Sequence, residues 1–362
     1  MKILTVVGAR PQFIKAAAVT RVIREKHASR IREVIVHTGQ HHDDNMSRVF
    51  FDQMDIPHPD FNLGITGGGH GQMTGRMLEK IEHVLYSEKP DWVLVYGDTN
   101  STLAAALAAA KLHTPVAHVE AGLRSFNMRM PEEINRIITD RVSSLLLCPT
   151  ETAVRNLHDE GLRNNVHQVG DVMYDVALYY GERARLESTI LSRLNIKEKG
   201  FALATCHRAE NTDNVQNLEQ IFRALGEISS NHIPVVLSLH PRTRRKVEDF
   251  GLWQFLTGMI VTEPLSFLDM VALEQAAKII LTDSGGVQKE AFFHGVPCVT
   301  MRDQTEWTET VDLGWNTLTG ANAGKIQSAA ERLLDCCCGV THTQPYGSGF
   351  SAEATVNRIL HL

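Results

Sequence analysis

The sequence predicts an α/β protein of two domains, each a parallel β-sheet covered by helices on both faces. Three observations carry this. The chain has 362 residues, more than one hydrophobic core usually serves. Short apolar, β-branched runs alternate with longer helical patterns along its whole length. Polar residues collect at the carboxyl ends of those runs, where open parallel sheets bind their ligands.

The first series of strands is expected at KILTVVG, EVIVHTG, WVLVYGD, PVAHVEAG and LLLCPT. The second is expected at FALATCH, PVVLSLHP, MIVTEP, KIILTDSG and PCVTMR. The intervals are long enough for crossover helices, so each series reads as a Rossmann-like domain. The division is expected near residues 170–195, with VGDVMYD (169–175) as a hinge. Residues 1–172 then form the first domain and 173–349 the second. A last helix, about 350–362, is available to pack back on the first. The two domains are expected to present their strand-end loops to one central cleft.

Composition bounds the rest. With 43% hydrophobic and 22% charged residues, the chain reads as an ordinary soluble protein. A net charge of −6 gives no basic footprint for nucleic acid, so any bound anion must be held by local groups. The N-terminal run MKILTVVG reaches Gly8 and Arg10 quickly and reads as a buried strand rather than a signal peptide. LAAALAAAKL (103–112) is too short to span a membrane, and Lys111 interrupts it, so no membrane span is expected. Cys148, Cys206 and Cys298 sit at or near the ends of apolar runs, and Cys336, Cys337 and Cys338 are consecutive. Neither pattern has zinc spacing or the look of a disulfide framework, so reduced cytosolic thiols are expected.

The strand ends carry the chemistry. In LTDSGGVQKEA, a strand, then Ser284-Gly285-Gly286, then a helix can place backbone N–H groups around a phosphate. Glycine permits the close approach. The same residues also make a tight turn capped by Ser284. The motif has neither the P-loop lysine nor the three-glycine dinucleotide spacing. Glu290, six residues on, can accept from ribose hydroxyls or be a solvated helix charge. In VVGARPQFIK, Arg10 suits forked recognition of a diphosphate, and Lys15 follows inside the helix. Arg10 and Ser284 can clamp one pyrophosphate.

Asp98 and Glu120 both end strands, and MPEEINR places Glu132 and Glu133 at the positive end of a helix. Glu132 and Arg136, four apart, can pair on one face. Crowded carboxylates hold one another's protons, which suits acid–base work on a sugar carbon. In ATCHRAEN, His207 can stabilise charge or move a proton. His240 and Arg242 end another strand in HPR. HTGQHHDD (37–44) holds His37, His41, His42, Asp43 and Asp44, but Gly39 breaks the helical spacing, so a loop is expected there and no metal. GGGHG (67–71) follows no apolar strand and reads as a flexible loop.

Together, GARPQFIK, TGQHHDDN, VYGDTNSTL, HVEAGLRSFNMRMPEEINR, HRAEN, LTDSGGVQKEA and MRDQTEW resemble the non-hydrolysing UDP-N-acetylglucosamine 2-epimerases over almost the entire chain. RSFNMRMPEE and MRDQTEW resemble most the branch acting on UDP-2,3-diacetamido-2,3-dideoxy-D-glucuronate, which serves bacterial surface polysaccharide (O-antigen) synthesis. The resemblance implies a GT-B-like fold, a cytoplasmic homodimer, a UDP-sugar substrate, and neither cofactor nor metal. It also implies elimination of UDP across carbons 1 and 2, a bound glycal-type intermediate, and re-addition with the proton on the opposite face. It casts Asp98, Glu120 and Glu132 as acid–base carboxylates and His207 as the catalytic histidine. Arg10, Ser284, Gly285 and Gly286 become diphosphate contacts, and Glu290 the ribose contact. Lys15 and Arg136 match active-site positions, and Pro264, Leu265 and Phe267 match the uracil loop. Two departures from the enzymes acting on UDP-N-acetylglucosamine stand out: His42-Asp43 in place of Arg-Glu, and Trp307-Thr308 in place of Arg-Pro. Arg129 and His42 are candidates to meet a sugar carboxylate.

Overall fold

A computed structural model describes residues 1–40, 58–335 and 344–362. The chain divides into two compact units, Met1–Val176 with Gln344–Leu362, and Ala177–Thr343.

The first unit is built on seven strands: β1 (Lys2–Val7), β2 (Arg32–His37), β3 (Phe61–Asn62), β4 (Trp92–Tyr96), β5 (Val116–Val119), β6 (Leu145–Cys148) and β7 (Val166–Gln168). They pair in parallel in the order β3-β2-β1-β4-β5-β6-β7. Every residue of β4 is buried, as a strand covered on both faces requires. On one face, Leu4, Val6, Val93 and Val95 pack against Met77, Ile81 and the alanines Ala104, Ala105, Ala106, Ala108 and Ala109. Those alanines sit on helix Asn100–Lys111, where small side chains let the helix lie close to the sheet. The strand order reverses between β1 and β4. The loops after these two strands, Gly8–Arg10 and Gly97–Asp98, therefore flank a topological switch point.

The C-terminal helix Ser351–Leu360 belongs to this first unit. Asp175 caps it, accepting the N–H of Ser351 at 3.0 Å and of Ala352 at 2.7 Å. Lys26 reaches Glu353 at 2.6 Å.

The second unit holds β8 (Ala202–Thr205), β9 (Val235–Ser238), β10 (Ile260–Thr262), β11 (Ile279–Thr282), β12 (Cys298–Thr300) and β13 (Asn316–Leu318). They too pair in parallel, in the order β10-β9-β8-β11-β12-β13. Residues alternate between two buried faces. Ala202, Ala204, Ile279 and Leu281 pack on one side, and Leu203 and Ile280 on the other. The switch point here lies between β8 and β11, so His207 and Ser284 both follow strands that flank it.

This is the α/β, parallel-sheet class that the sequence predicts. The ten expected strands are present; the three additional ones, β3, β7 and β13, span only two or three residues and lie at sheet edges. GGGHG differs from expectation. Gly67 and Gly68 make a left-handed turn, Gly69 caps, and His70 opens a long helix, His70–Glu88, anchored by Met77, Ile81, Val84 and Leu85. Cys148, Cys206 and Cys298 are free and buried. Cys336, Cys337 and Cys338 lie outside the described residues. No described helix is long and apolar enough to cross a membrane.

Candidate active site

The loop after β1 is set by two devices. A Cβ on Gly8 would lie 2.1 Å from Ser101 Oγ and 2.2 Å from Thr38 Oγ1, so only glycine fits. Gln12, almost fully buried, then locks the loop. Its Oε1 accepts the N–H of Gly8 at 2.8 Å and of Ala9 at 3.1 Å, and its Nε2 donates to the Tyr96 carbonyl at 2.9 Å. Arg10, the first residue of helix Arg10–Lys26, is exposed.

One turn further in, Lys15 forms a buried ion pair with Glu120. Glu120 holds a left-handed backbone, φ 71°, which turns it back over the end of β4. Gly97 backs the pair, since a Cβ there would lie 3.0 Å from Glu120 Oε2 and 3.3 Å from Lys15 Nζ.

Asp98 is held by the helix Pro131–Val142. Arg136 Nη2 donates to its Oδ2 at 2.6 Å, and Asn135 Nδ2 to its carbonyl at 2.9 Å. Loss of solvation raises the Asp98 carboxyl above its ordinary value, with Glu120 and Glu132 adding like charge; Arg136 and Lys15 oppose but do not cancel this. Glu132 itself is exposed in the first turn.

The expected Glu132–Arg136 pair is replaced. The other Arg136 nitrogen donates to Glu133 at 2.7 Å. Glu133 is the buried acid of the two, and it also accepts the N–H groups of Ser125 and Phe126, each at 2.9 Å. The physical reason is burial: the inward residue takes the loop's orphan donors, leaving Glu132 outside. Arg129 is exposed on the loop that Glu133 clamps.

In the second unit, Asp283 at the end of β11 is fully buried and builds the His207 loop. It accepts the N–H of His207 at 3.0 Å, of Arg208 at 3.0 Å, and Asn211 Nδ2 at 3.1 Å. The His207 ring is 43% exposed, with Nδ1 3.7 Å from Asp283 Oδ1. The His240 ring lies 6.3 Å from it, centroid to centroid. His240 caps helix Pro241–Asp249, its Nδ1 accepting the Arg242 N–H at 3.2 Å. The Arg242 side chain pairs with Asp213 at 2.6 Å.

Ser284 caps helix Gly285–Phe293, but the bond from the Val287 N–H is long, 3.5 Å. A Cβ on Gly285 would meet Trp307 Nε1 at 3.5 Å, Glu306 Oε2 at 3.7 Å and Arg208 Nη2 at 3.8 Å; one on Gly286 would meet only Ser284 Oγ, at 3.8 Å. These are ordinary contacts, and neither glycine has a positive φ, so the protein's own packing does not demand glycine at either position. Trp307 carries the Lys289 ammonium 3.9 Å above its ring. Glu290 is half-buried on the same helix.

After β10, Pro264 is exposed and Leu265 half-buried. The Phe267 ring is buried edge-on against Tyr180, centroids 5.2 Å apart, so its ring serves packing. Among the described residues no group of His, Cys, Asp and Glu side chains could hold a metal. His41, His42, Asp43 and Asp44 lie outside those residues.

The structure thus gathers Asp98, Glu120, Lys15 and Arg136 in one cluster, and His207, His240, Ser284, Gly285 and Gly286 around a second switch point. Sequence reasoning missed Gln12 and Asp283, and read Glu133 only as a helix-end charge. Each is a buried polar residue beside a strand-end loop, and its only sequence signal is that position.

The model of the UDP-N-acetylglucosamine 2-epimerase family matches residues 24–360. The UDP-2,3-diacetamido-2,3-dideoxy-D-glucuronate 2-epimerase of Pseudomonas aeruginosa is 57% identical over 92% of both chains. The UDP-N-acetylglucosamine 2-epimerase of Methanocaldococcus jannaschii is 42% identical over 99% of both. A crystal structure of the latter with UDP-GlcNAc and UDP superposes with a TM-score of 0.89, 42% identity and full coverage of both chains. That of the Neisseria meningitidis enzyme bound to UDP-GlcNAc gives 0.87 at 31% identity, again with full coverage.

Proposed function

The chain belongs to the UDP-N-acetylglucosamine 2-epimerase family, whose members are UDP-sugar isomerases, and we propose that it inverts carbon 2 of UDP-2,3-diacetamido-2,3-dideoxy-D-glucuronate to give the mannuronate epimer. The observation that carries the substrate is the 57% identity to the Pseudomonas relative over 92% of both chains. The chemistry is supported by two carboxylates in contrasting surroundings: Asp98, pushed toward its protonated form by lost solvation, and Glu120, ion-paired with Lys15.

In the reaction a carboxylate removes the proton from carbon 2. The bond from carbon 1 to the UDP oxygen breaks, its electron pair leaving with UDP, and a double bond forms between carbons 1 and 2. UDP oxygen then adds back to carbon 1, and a proton returns to carbon 2 on the opposite face. Asp98, Glu120 and Glu132 exchange these protons, with Lys15 and Arg136 holding the first two in place. Arg10, Ser284, Gly285 and Gly286 hold the diphosphate as it leaves and returns, and His207 is the catalytic histidine. The long cap bond at Ser284, and two glycines that the protein's own packing does not demand, support a phosphate there. Glu290 meets the ribose, and Pro264, Leu265 and Phe267 meet the uracil, the last through its backbone. His240 and Arg242 complete the substrate contacts, and exposed Arg129 meets the sugar carboxylate. Action as a cytoplasmic homodimer in O-antigen synthesis belongs to the same reading.

The test is turnover of two purified nucleotide sugars, UDP-2,3-diacetamido-glucuronate and UDP-N-acetylglucosamine, followed by proton NMR. The first should give its manno epimer at the higher kcat/KM. Preference for the second would move the assignment to a UDP-N-acetylglucosamine epimerase, and accumulating free UDP with released sugar would make the enzyme a hydrolase.

A further inference from the structure

Asp98 and Glu120 stand at the ends of different strands, and their separation is set beneath the surface. His118, two residues before Glu120 on β5, has no exposed surface. Its Nε2 lies 2.8 Å from the carbonyl oxygen of Gly97, the residue before Asp98. Its Nδ1 lies 2.7 Å from Asp140 Oδ1. The second Asp140 oxygen accepts the N–H of Gly122, two residues beyond Glu120, at 3.2 Å, and Arg124 Nη1 at 2.7 Å. A single buried pair therefore ties the turn carrying Asp98 to the turn carrying Glu120.

Those turns need holding. Gly97, Glu120 and Gly122 all have left-handed backbones, at φ 60°, 71° and 81°. Glu120 has a Cβ, and such a residue stays left-handed only where its surroundings impose it.

The chemistry of the pair is defined by its partners. A backbone carbonyl oxygen only accepts, so the bond to Gly97 is made by a hydrogen on His118 Nε2. Burial pushes the Asp140 carboxyl up, but the charge and hydrogen bonds of His118 and Arg124 outweigh it and hold Asp140 below its ordinary value. Arg124 closes the chain on Glu160, at 2.6 and 2.8 Å. Glu160, Arg124, Asp140 and His118 thus form one connected chain that ends beneath the two turns.

We propose that His118 and Asp140 are positioning residues whose buried pair fixes the spacing of Asp98 and Glu120, so that proton removal and proton return meet the same bound sugar. This rests on the reading of those two carboxylates as the acid–base groups.

The experiment has two parts. Imidazole ¹H–¹⁵N spectra of the wild-type enzyme should show His118 Nε2 protonated and protected from exchange; an Nε2 without hydrogen overturns the proposal. His118→Asn should bind UDP within a few-fold of wild type and keep its KM, while kcat falls about 100-fold, the scale of a misplaced reacting group. The glycal-type intermediate and UDP should also escape as products. A merely structural role would not produce that escape. A folded variant with near-normal kcat and no escape overturns the proposal, and if His118→Asn does not fold, His118→Gln and the wild-type spectrum decide. Wild-type enzyme without epimerase activity would instead sink the acid–base reading, and the proposal with it.

Discussion

The Arg136 guanidinium donates to the Asp98 carboxylate at 2.6 Å, yet Asp98 still sits above its ordinary value because lost solvation outweighs the pairing. The sign follows from linkage. A carboxyl raised in the folded state is ionised more readily when unfolded, so stability falls as pH rises from 3.8 toward the folded value. Asp98→Asn removes that penalty and keeps an oxygen for Arg136. Its melting temperature should equal or exceed that of wild type, while kcat falls about 1,000-fold, within the usual range for a lost acid–base group. A variant that loses stability and activity together would make Asp98 structural.

Glu133 shows the opposite sign. Burial pushes it up, but the Ser125 and Phe126 N–H groups and Arg136 hold it below its usual 4.5. Its stabilisation is therefore present above 4.5 and lost as pH falls through the lower folded value. Glu133→Gln should destabilise by about 1.5–3 kcal/mol at neutral pH, the range for hydrogen bonds to a charged group. Urea titrations of both proteins should converge in acid. A deficit independent of pH would show that the charge is irrelevant.

Two glycines should behave differently. Gly8→Ala forces a Cβ to within 2.2 Å of Ser101 and Thr38 oxygens, and should destabilise by about 1–3 kcal/mol. Gly285→Ala meets only contacts of 3.5 Å or more, so thermal unfolding should not suffer. UDP affinity should still drop about tenfold or more, because the added methyl fills space proposed for phosphate. Calorimetric titration with UDP, beside a melting curve, checks both; unchanged affinity in Gly285→Ala would place the phosphate elsewhere.

What the sequence shows follows from which physical signals are local. Central strands such as WVLVY announce themselves, because burial on both faces needs an unbroken apolar run. The edge strands Phe61–Asn62, Val166–Gln168 and Asn316–Leu318 are too short and too exposed to leave that mark. GGGHG reads as a loop for a related reason: its glycines signal a turn, while the apolar anchors of the helix begin only at Met77. The choice between Glu132 and Glu133 depends on which faces the loop donors, and adjacent residues give no such information. Asp283, His118 and Asp140 work through partners 16 to 76 residues away, so their roles become visible only once the sheets are assembled.

The most direct test of the central claim is proton NMR of the enzyme in heavy water with UDP-2,3-diacetamido-glucuronate. Elimination and re-addition predicts a growing manno signal, deuterium entering carbon 2, and no accumulation of free UDP. Epimerisation that retains the original proton at carbon 2 would contradict the account, because no exchange with solvent through Asp98, Glu120 or Glu132 would then be taking place.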